Sequence, residues 1–301
     1  MSIIAGARLR ERPFEYAANG VTVVLKAGRG AGVTGQVDGD SSGKNYTAVN
    51  ETQLEAMNVE TDDFTSVCTT LVTSMTSLFS NATSFNQPLD NWDVSNVTGM
   101  SAMFSSATSF NQQLNSWDVS NVIFMLDMFF NATSFNQPLD NWDVSKVTNM
   151  RNMFSLASSF NQALNNWDVS NVTDMRSMFS SATSFNQQLD NWDVSKVTDM
   201  GGMFGFTTSF NQPLNNWDVS KVTDMRSMFY TTTLFNQPLY NWDVSNVSMV
   251  NMEFMFSGSE AFNQDLSSWC VTDITARPLN FDTGADAWVL ANSRPIWGTC
   301  P

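Results

Sequence analysis

Tryptophan falls at positions 92, 117, 142, 167, 192, 217 and 242, one every 25 residues, and then at 269. Phe-Asn-Gln begins at 85, 110, 135, 160, 185, 210, 235 and 262. Met-x-x-Met-Phe follows every one of these tryptophans but the last, from Met100/Met103/Phe104 to Met252/Met255/Phe256. A half unit, Val72 to Phe79, precedes the first copy, and two extra residues between Val247 and Met252 mark a local loop or bulge. A period of this length belongs to repeat architectures, in which each unit buries its apolar face only against its neighbours.

One unit runs from Phe85 through Leu89, Trp92, Val94, Val97, Met100, Met103 and Phe104 to Ala107. Trp92-x-Val94 has the alternation of a strand, Val97 and Met100 suggest a second extended piece, and Met103, Phe104 and Ala107 are spaced for a turn of helix. The expected fold is a β-solenoid, leucine-rich-repeat-like and right-handed, with short parallel strands plus one short helical turn per 25-residue coil. About eight coils at the parallel-sheet spacing of about 4.8 Å would span roughly 40 Å. The Trp and Phe columns are read as core, and the Asn86 column as an internal amide ladder that bonds the backbone of the adjacent turn.

Four segments are expected: a tail or docking arm over 1–12, an N-terminal cap over 13–71, the repeat array over 72–266 and a C-terminal cap over 267–301. Within the first cap, Gly20 to Lys26 and Lys44 to Val49 read as strands, and Asn50 caps a short helix from Glu51 to Met57. The start of the chain shows no signal-peptide apolar core, and no window is apolar enough to span a bilayer. Cys270 and Cys300 bracket the last segment; they either pair in an oxidising medium or remain two buried thiols. Cys68 reads as a small core residue.

Composition removes several functions. Fourteen basic against 29 acidic residues give a net charge of −15, which disfavours phosphate backbones and anionic lipid. With no histidine, imidazole ligands and His-dependent triads are excluded. Gly30-x-Gly32-x-x-Gly35 fits a dinucleotide fingerprint by letter but runs into a polar turn where a helix should open. Asp38, Asp40, Ser42 and Gly43 match the start of a calcium loop that then places Val49 where the bidentate Glu belongs, so a polar hairpin turn is the better reading.

The repeat unit resembles the BspA-like leucine-rich repeat family, in the branch first noted in mycoplasma lipoproteins and common in bacterial surface proteins. The resemblance spans about residues 72–301. It includes Trp269-Cys270, Trp297-Gly298 and Cys300-Pro301, which look like that family's closing cap. It implies a right-handed solenoid, roles in adhesion and protein interaction, and no catalytic residues. The chain departs from most members in lacking a recognisable secretion signal.

Two sets of candidate residues follow. The first is an aspartate column, Asp93, Asp118, Asp143, Asp168, Asp193, Asp218 and Asp243, expected to face outward. At about 4.8 Å these charges repel, so either each carboxylate closes an Asx turn onto the Ser95 column or divalent cations, calcium foremost, bridge the ladder. The second is an apolar stripe. Ile123, Phe124, Leu126 and Phe130 occupy columns that are mostly polar elsewhere; Leu156 and Phe206 share the column of Ser106, and Tyr230 that of Phe130. If exposed, they mark an interface; otherwise they pack beneath local loops. Arg151, Arg176 and Arg226 near Asp174, Asp199 and Asp224 look like a solvated mixed-charge face. A column of Thr83, Thr108, Thr133, Thr183, Thr208 and Thr233 invites an ice-binding alternative.

The expected function is therefore non-enzymatic: adhesion or interaction with a protein or glycan on a cell or particle surface, with self-association open and neither nucleic acid nor membrane insertion involved. The expected location is extracellular. The chain would be a virion fibre or decoration subunit, or a bacterial surface adhesin exported by an unseen route.

Overall fold

The computed structural model describes residues 12–289 and 293–301; apart from Arg12, the docking arm expected over 1–12 lies outside them. From Val72 onward, successive units lie against one another in sequence order. Single-residue parallel bridges link Ser74, Gly99, Phe124, Asn149, Asp174, Asp199 and Asp224, each to its copy 25 positions on.

Backbone hydrogen bonding explains why each unit contributes one bridge and no longer strand. The N–H groups of Met100, Ala102, Phe104 and Ser106 donate to the carbonyls of Phe124, Leu126, Met128 and Phe130 in the next coil, at 2.7 to 3.0 Å. The intervening amides of Met103, Ser105 and Ala107 donate three residues back, to Met100, Ala102 and Phe104. The helical turn expected at Met103/Phe104/Ala107 is thus a ribbon of turns, broken by left-handed residues at Ala102 (φ 55°) and Ser106 (φ 58°). An α-helix would satisfy these amides within the coil and leave none for its neighbour. Trp92-x-Val94 forms no strand either, because the Trp92 amide closes a turn onto Leu89.

The interior is built from columns. In the second coil Phe110, Leu114, Trp117, Val119, Val122, Met125, Met128 and Phe129 are each at most 2% exposed. Trp117 and Trp142 lie parallel within 1° with centroids 6.5 Å apart, farther than the inter-strand spacing of about 4.8 Å. The rings are therefore slid over one another, the offset geometry that their quadrupoles favour. The indole N–H groups of the column from Trp117 to Trp269 are satisfied in the same way. Trp117, Trp142 and Trp167 donate to the carbonyls of Leu89, Leu114 and Leu139 in the preceding coil, all at 2.9 Å.

The amide ladder forms, but at the surface rather than inside. Asn86 Oδ1 accepts from the Asn111 amide at 2.9 Å and from Gln112 Nε2 at 3.0 Å, and the pattern repeats to Asn236, Asn263 and Gln264. Asn86 is exposed and the later members are half-buried.

The N-terminal region holds β1 (Phe14–Tyr16), β2 (Val23–Leu25), β3 (Thr34–Gly35), β4 (Tyr46–Ala48), α1 (Glu51–Glu55) and β5 (Val67–Cys68). β1 and β2 pair antiparallel, as do β3 and β4, while β4 pairs parallel with β5. Asn50 and Gln53 form a reciprocal capping box on α1, which satisfies two otherwise orphaned amides. Phe14, Val23, Leu25, Val37, Tyr46, Ala48 and Cys68 make a small separate core, and the Val23 amide joins it to the array through the Asn91 carbonyl. Glu51 closes the first coil. Its Oε1 accepts from the amides of Thr73 and Ser74 at 2.9 and 2.8 Å, standing where Thr73 O stands for the amide of Thr98.

The far end is closed by other means. Cys270 and Cys300 are joined in a disulfide. Asp282 is buried between Arg277 and Arg294, both ion-paired to it, and Arg294 stacks 4.7 Å from the Trp288 ring.

Candidate functional site

The aspartate column makes turns. The amides of Ser95, Ser120, Ser145, Ser170, Ser195, Ser220 and Ser245 donate at 3.0 or 3.1 Å to Oδ1 of Asp93, Asp118, Asp143, Asp168, Asp193, Asp218 and Asp243. Hydrogen bonds from the serine side chain and then its backbone hold the carboxyls of Asp143, Asp193 and Asp218 below the ordinary 3.8. Six of the seven side chains face solvent as expected, but Asp93 is buried. The N-terminal cap covers it, and the Asp93 carbonyl accepts from Thr69 Oγ1 at 2.8 Å. Among the described residues no group of three or more Cys, Asp or Glu side chains converges as a metal site. Uniform Asx turns satisfy each carboxylate separately without converging them.

The glycine-rich segment is a hairpin region. No helix opens after Gly35, which pairs in β3. The Asp40 carboxylate is bound by the Ser42 amide at 2.8 Å and its hydroxyl at 2.7 Å, and Asp38 is ion-paired with Lys26. Burial pushes the Cys68 thiol up, as fits a core residue rather than a nucleophile. Threonine hydroxyls of the proposed ice-binding column point back along the stack: Thr108 and Thr133 donate to the carbonyls of Thr83 and Thr108.

The apolar stripe divides. Ile123 and Phe124 are exposed, Phe124 by 49%, and Leu126 on the same coil is half-buried. Phe130 is half-buried and Leu156 exposed. Phe206, exposed by 46%, meets Tyr230 of the next coil edge-on at 4.9 Å. Tyr230 in turn meets Phe254 edge-on at 6.2 Å, a residue absent from the expected set. The signal for Phe254 lay in the two-residue insertion: aligning Met252 with Met225 places Phe254 in the Ala102 column, where the other coils carry small or polar residues. Leu156, Phe206 and Phe254 all have left-handed backbone, φ 62°, 59° and 58°, a region costly for bulky side chains. These bulky side chains therefore occupy positions that folding alone would give to Ser, Asn or Gly, an outlier that points to function.

Beside them lies the mixed-charge face. Asn149, Asp174, Asp199 and Asp224 each accept the amide two residues on. Arg176 is ion-paired with Asp199, and Arg226 with Asp224 at 3.4 Å.

The family described as "Mycoplasma protein of unknown function, DUF285" matches twice in tandem, over residues 47–167 and 154–269. The two matches overlap and cover well over half of the chain. No curated protein matches it.

Proposed function

We propose, for a chain that belongs to the DUF285 family of mycoplasma proteins of unknown function, a non-enzymatic role in adhesion at a cell or particle surface. We read its architecture as a right-handed solenoid of the BspA-like leucine-rich repeat type, capped at both ends. The bridges at 25-residue steps and the parallel columns of Trp and Phe support that reading. The partner is a protein or glycan. The observation that carries the function is the contrast between an interior repeated with little change and a face where Phe124, Leu156 and Phe206 are exposed in otherwise polar columns. Exposed apolar groups set in a polar surround mark interaction sites. The Cys270–Cys300 disulfide supports an oxidising location, since the cytosol keeps such pairs reduced.

The test is binding of the purified chain to intact cells of candidate hosts and to washed cell envelopes. Phe124→Asp and Phe206→Asp should each lower the bound fraction severalfold while thermal melting is unchanged. Equal binding by the parent and by the double variant would overturn this reading.

A further inference from the structure

The mixed-charge face is interrupted at one coil. Gly201 and Gly202 stand where neighbouring coils carry Arg176 or Arg226 and Ser177 or Ser227. The missing side chains leave a recess of about 450 Å³ between Arg176 and Arg226. Its floor is acidic: a Cβ on Gly201 would lie 3.2 Å from Asp224 Oδ1 and 3.3 Å from Asp199 Oδ1. Arg226 also donates to Asn251 Oδ1 at 2.9 Å. The recess is lined by Arg176, Ser177, Gly201, Gly202, Asp224, Arg226 and Ser227, and the aromatic residues come next along the chain. The Gly205 amide bonds the Gly202 carbonyl, and the Tyr230 amide bonds the Ser227 carbonyl, each at 3.0 Å. Phe206 and Tyr230 thus follow one turn after the recess on adjacent coils.

We propose that the recess and the Phe206–Tyr230–Phe254 comb form a binding site for a neutral glycan chain. The assignment rests on the adhesion reading above and narrows its partner. Asp174, Asp199 and Asp224 face Arg176 and Arg226, an acidic balance that disfavours an anionic ligand. Each guanidinium and carboxylate, already oriented by its partner, keeps donors and acceptors with fixed directions. Vicinal hydroxyls need such an alternation of donors and acceptors. The aromatic comb supplies apolar surface for the C–H faces of the sugar rings. An apolar protein anchor would require a dry pocket, and a phosphate or sulfate would require arginines without carboxylate partners.

The repeat supplies its own control variants. Gly201→Arg restores the residue of the neighbouring coils at a position whose φ is not left-handed. Phe206→Ser restores the residue that Ser106 and Ser181 hold at the same backbone angle. Phe206→Ser should leave the melting temperature unchanged; in Gly201→Arg the Asp199 and Asp224 carboxylates must yield a few tenths of an ångström to the new Cβ, and a cooperative melt checks that the variant is folded.

The experiment is saturation-transfer NMR of the full chain with maltohexaose, cellohexaose, chitohexaose and mannohexaose, followed by calorimetric titration of whichever binds. The expected result is transfer to at least one hexasaccharide, with affinity reduced at least tenfold by either reversion and unchanged by Lys146→Gln, an exposed side chain beside the aspartate turns. The assignment is overturned if none of the four shows transfer, or if both reversions bind as tightly as the parent. Cell binding that survives Gly201→Arg but is lost with Phe124→Asp would sink the glycan site while leaving adhesion standing.

Discussion

The two ends of the array face one problem and solve it with different chemistry. A coil at either end exposes amides or carbonyls that an inner coil passes to its neighbour. At the start, a single carboxylate takes the place of a missing strand: Glu51 accepts the amides of Thr73 and Ser74. At the far end the closing segment is held by a covalent link and by an aspartate buried between two arginines. The first solution is local and depends on pH; the second ties down a 30-residue stretch and depends on redox state and on ion pairing.

Separate perturbations should break this contrast. The largest effect is expected from the double variant Arg277→Ala/Arg294→Ala, which leaves the buried Asp282 without either ion-pair partner and removes the stack on Trp288. Uncovering a buried charge costs about 3–5 kcal/mol, and urea unfolding should show the C-terminal region melting ahead of the rest. Next is reduction of Cys270–Cys300 or Cys300→Ser, at about 2–4 kcal/mol by loop entropy. Amide exchange should accelerate beyond residue 266 and stay unchanged before residue 100; acceleration at both ends would make the array one cooperative block. Glu51→Ala should cost about 1–2 kcal/mol, the worth of charge-assisted hydrogen bonds, with faster exchange confined to Thr73 and Ser74.

The smallest effect is the pH dependence of that same carboxyl. Hydrogen bonds from the Thr73 side chain, then its backbone, hold Glu51 below its ordinary 4.5. A depressed carboxyl stabilises the fold above the unfolded value and loses that contribution as pH falls through the folded one. Stability should therefore decline on acidification below about pH 4.5, and Glu51→Ala should flatten part of the slope. An identical slope in the parent and in Glu51→Ala would mean that the other depressed carboxyls, Asp40, Asp63, Asp143, Asp193, Asp218 and Asp265, carry the acid response.

Much of the interior was legible in the sequence because it obeys a period. Trp92 and its copies, the Phe-Asn-Gln triplets and the paired methionines lie where a stacked repeat needs them. The cap of α1 at Asn50 and the strands around Val23 and Tyr46 followed from local rules. The turn ribbon did not. Met103, Phe104 and Ala107 have helical spacing, and what overrides it is the demand of the next coil for every second amide, a partner 24 residues away that no short window contains. Asp93 was misplaced for a related reason: its column faces solvent in the other coils, and only the cap, which lies outside the repeat, covers it. Phe254 escaped notice because the insertion before it shifts its number out of the 25-residue series. In the candidate site, the exposed aromatics were visible as departures from their columns. The recess was not, because it is made by the side chains that Gly201 and Gly202 lack.

The indole-to-carbonyl bond that joins every coil to the one before it has a consequence for heredity. Each junction uses the same donor, the same acceptor and the same 2.9 Å separation. A recombination event that deletes or duplicates one whole period therefore rejoins compatible surfaces, and the two closures need not change. Near-identical copies favour such events. Lineages carrying this gene can thus lengthen or shorten the molecule in steps of about 4.8 Å, moving the Gly201 coil nearer to or farther from either terminus without redesigning it.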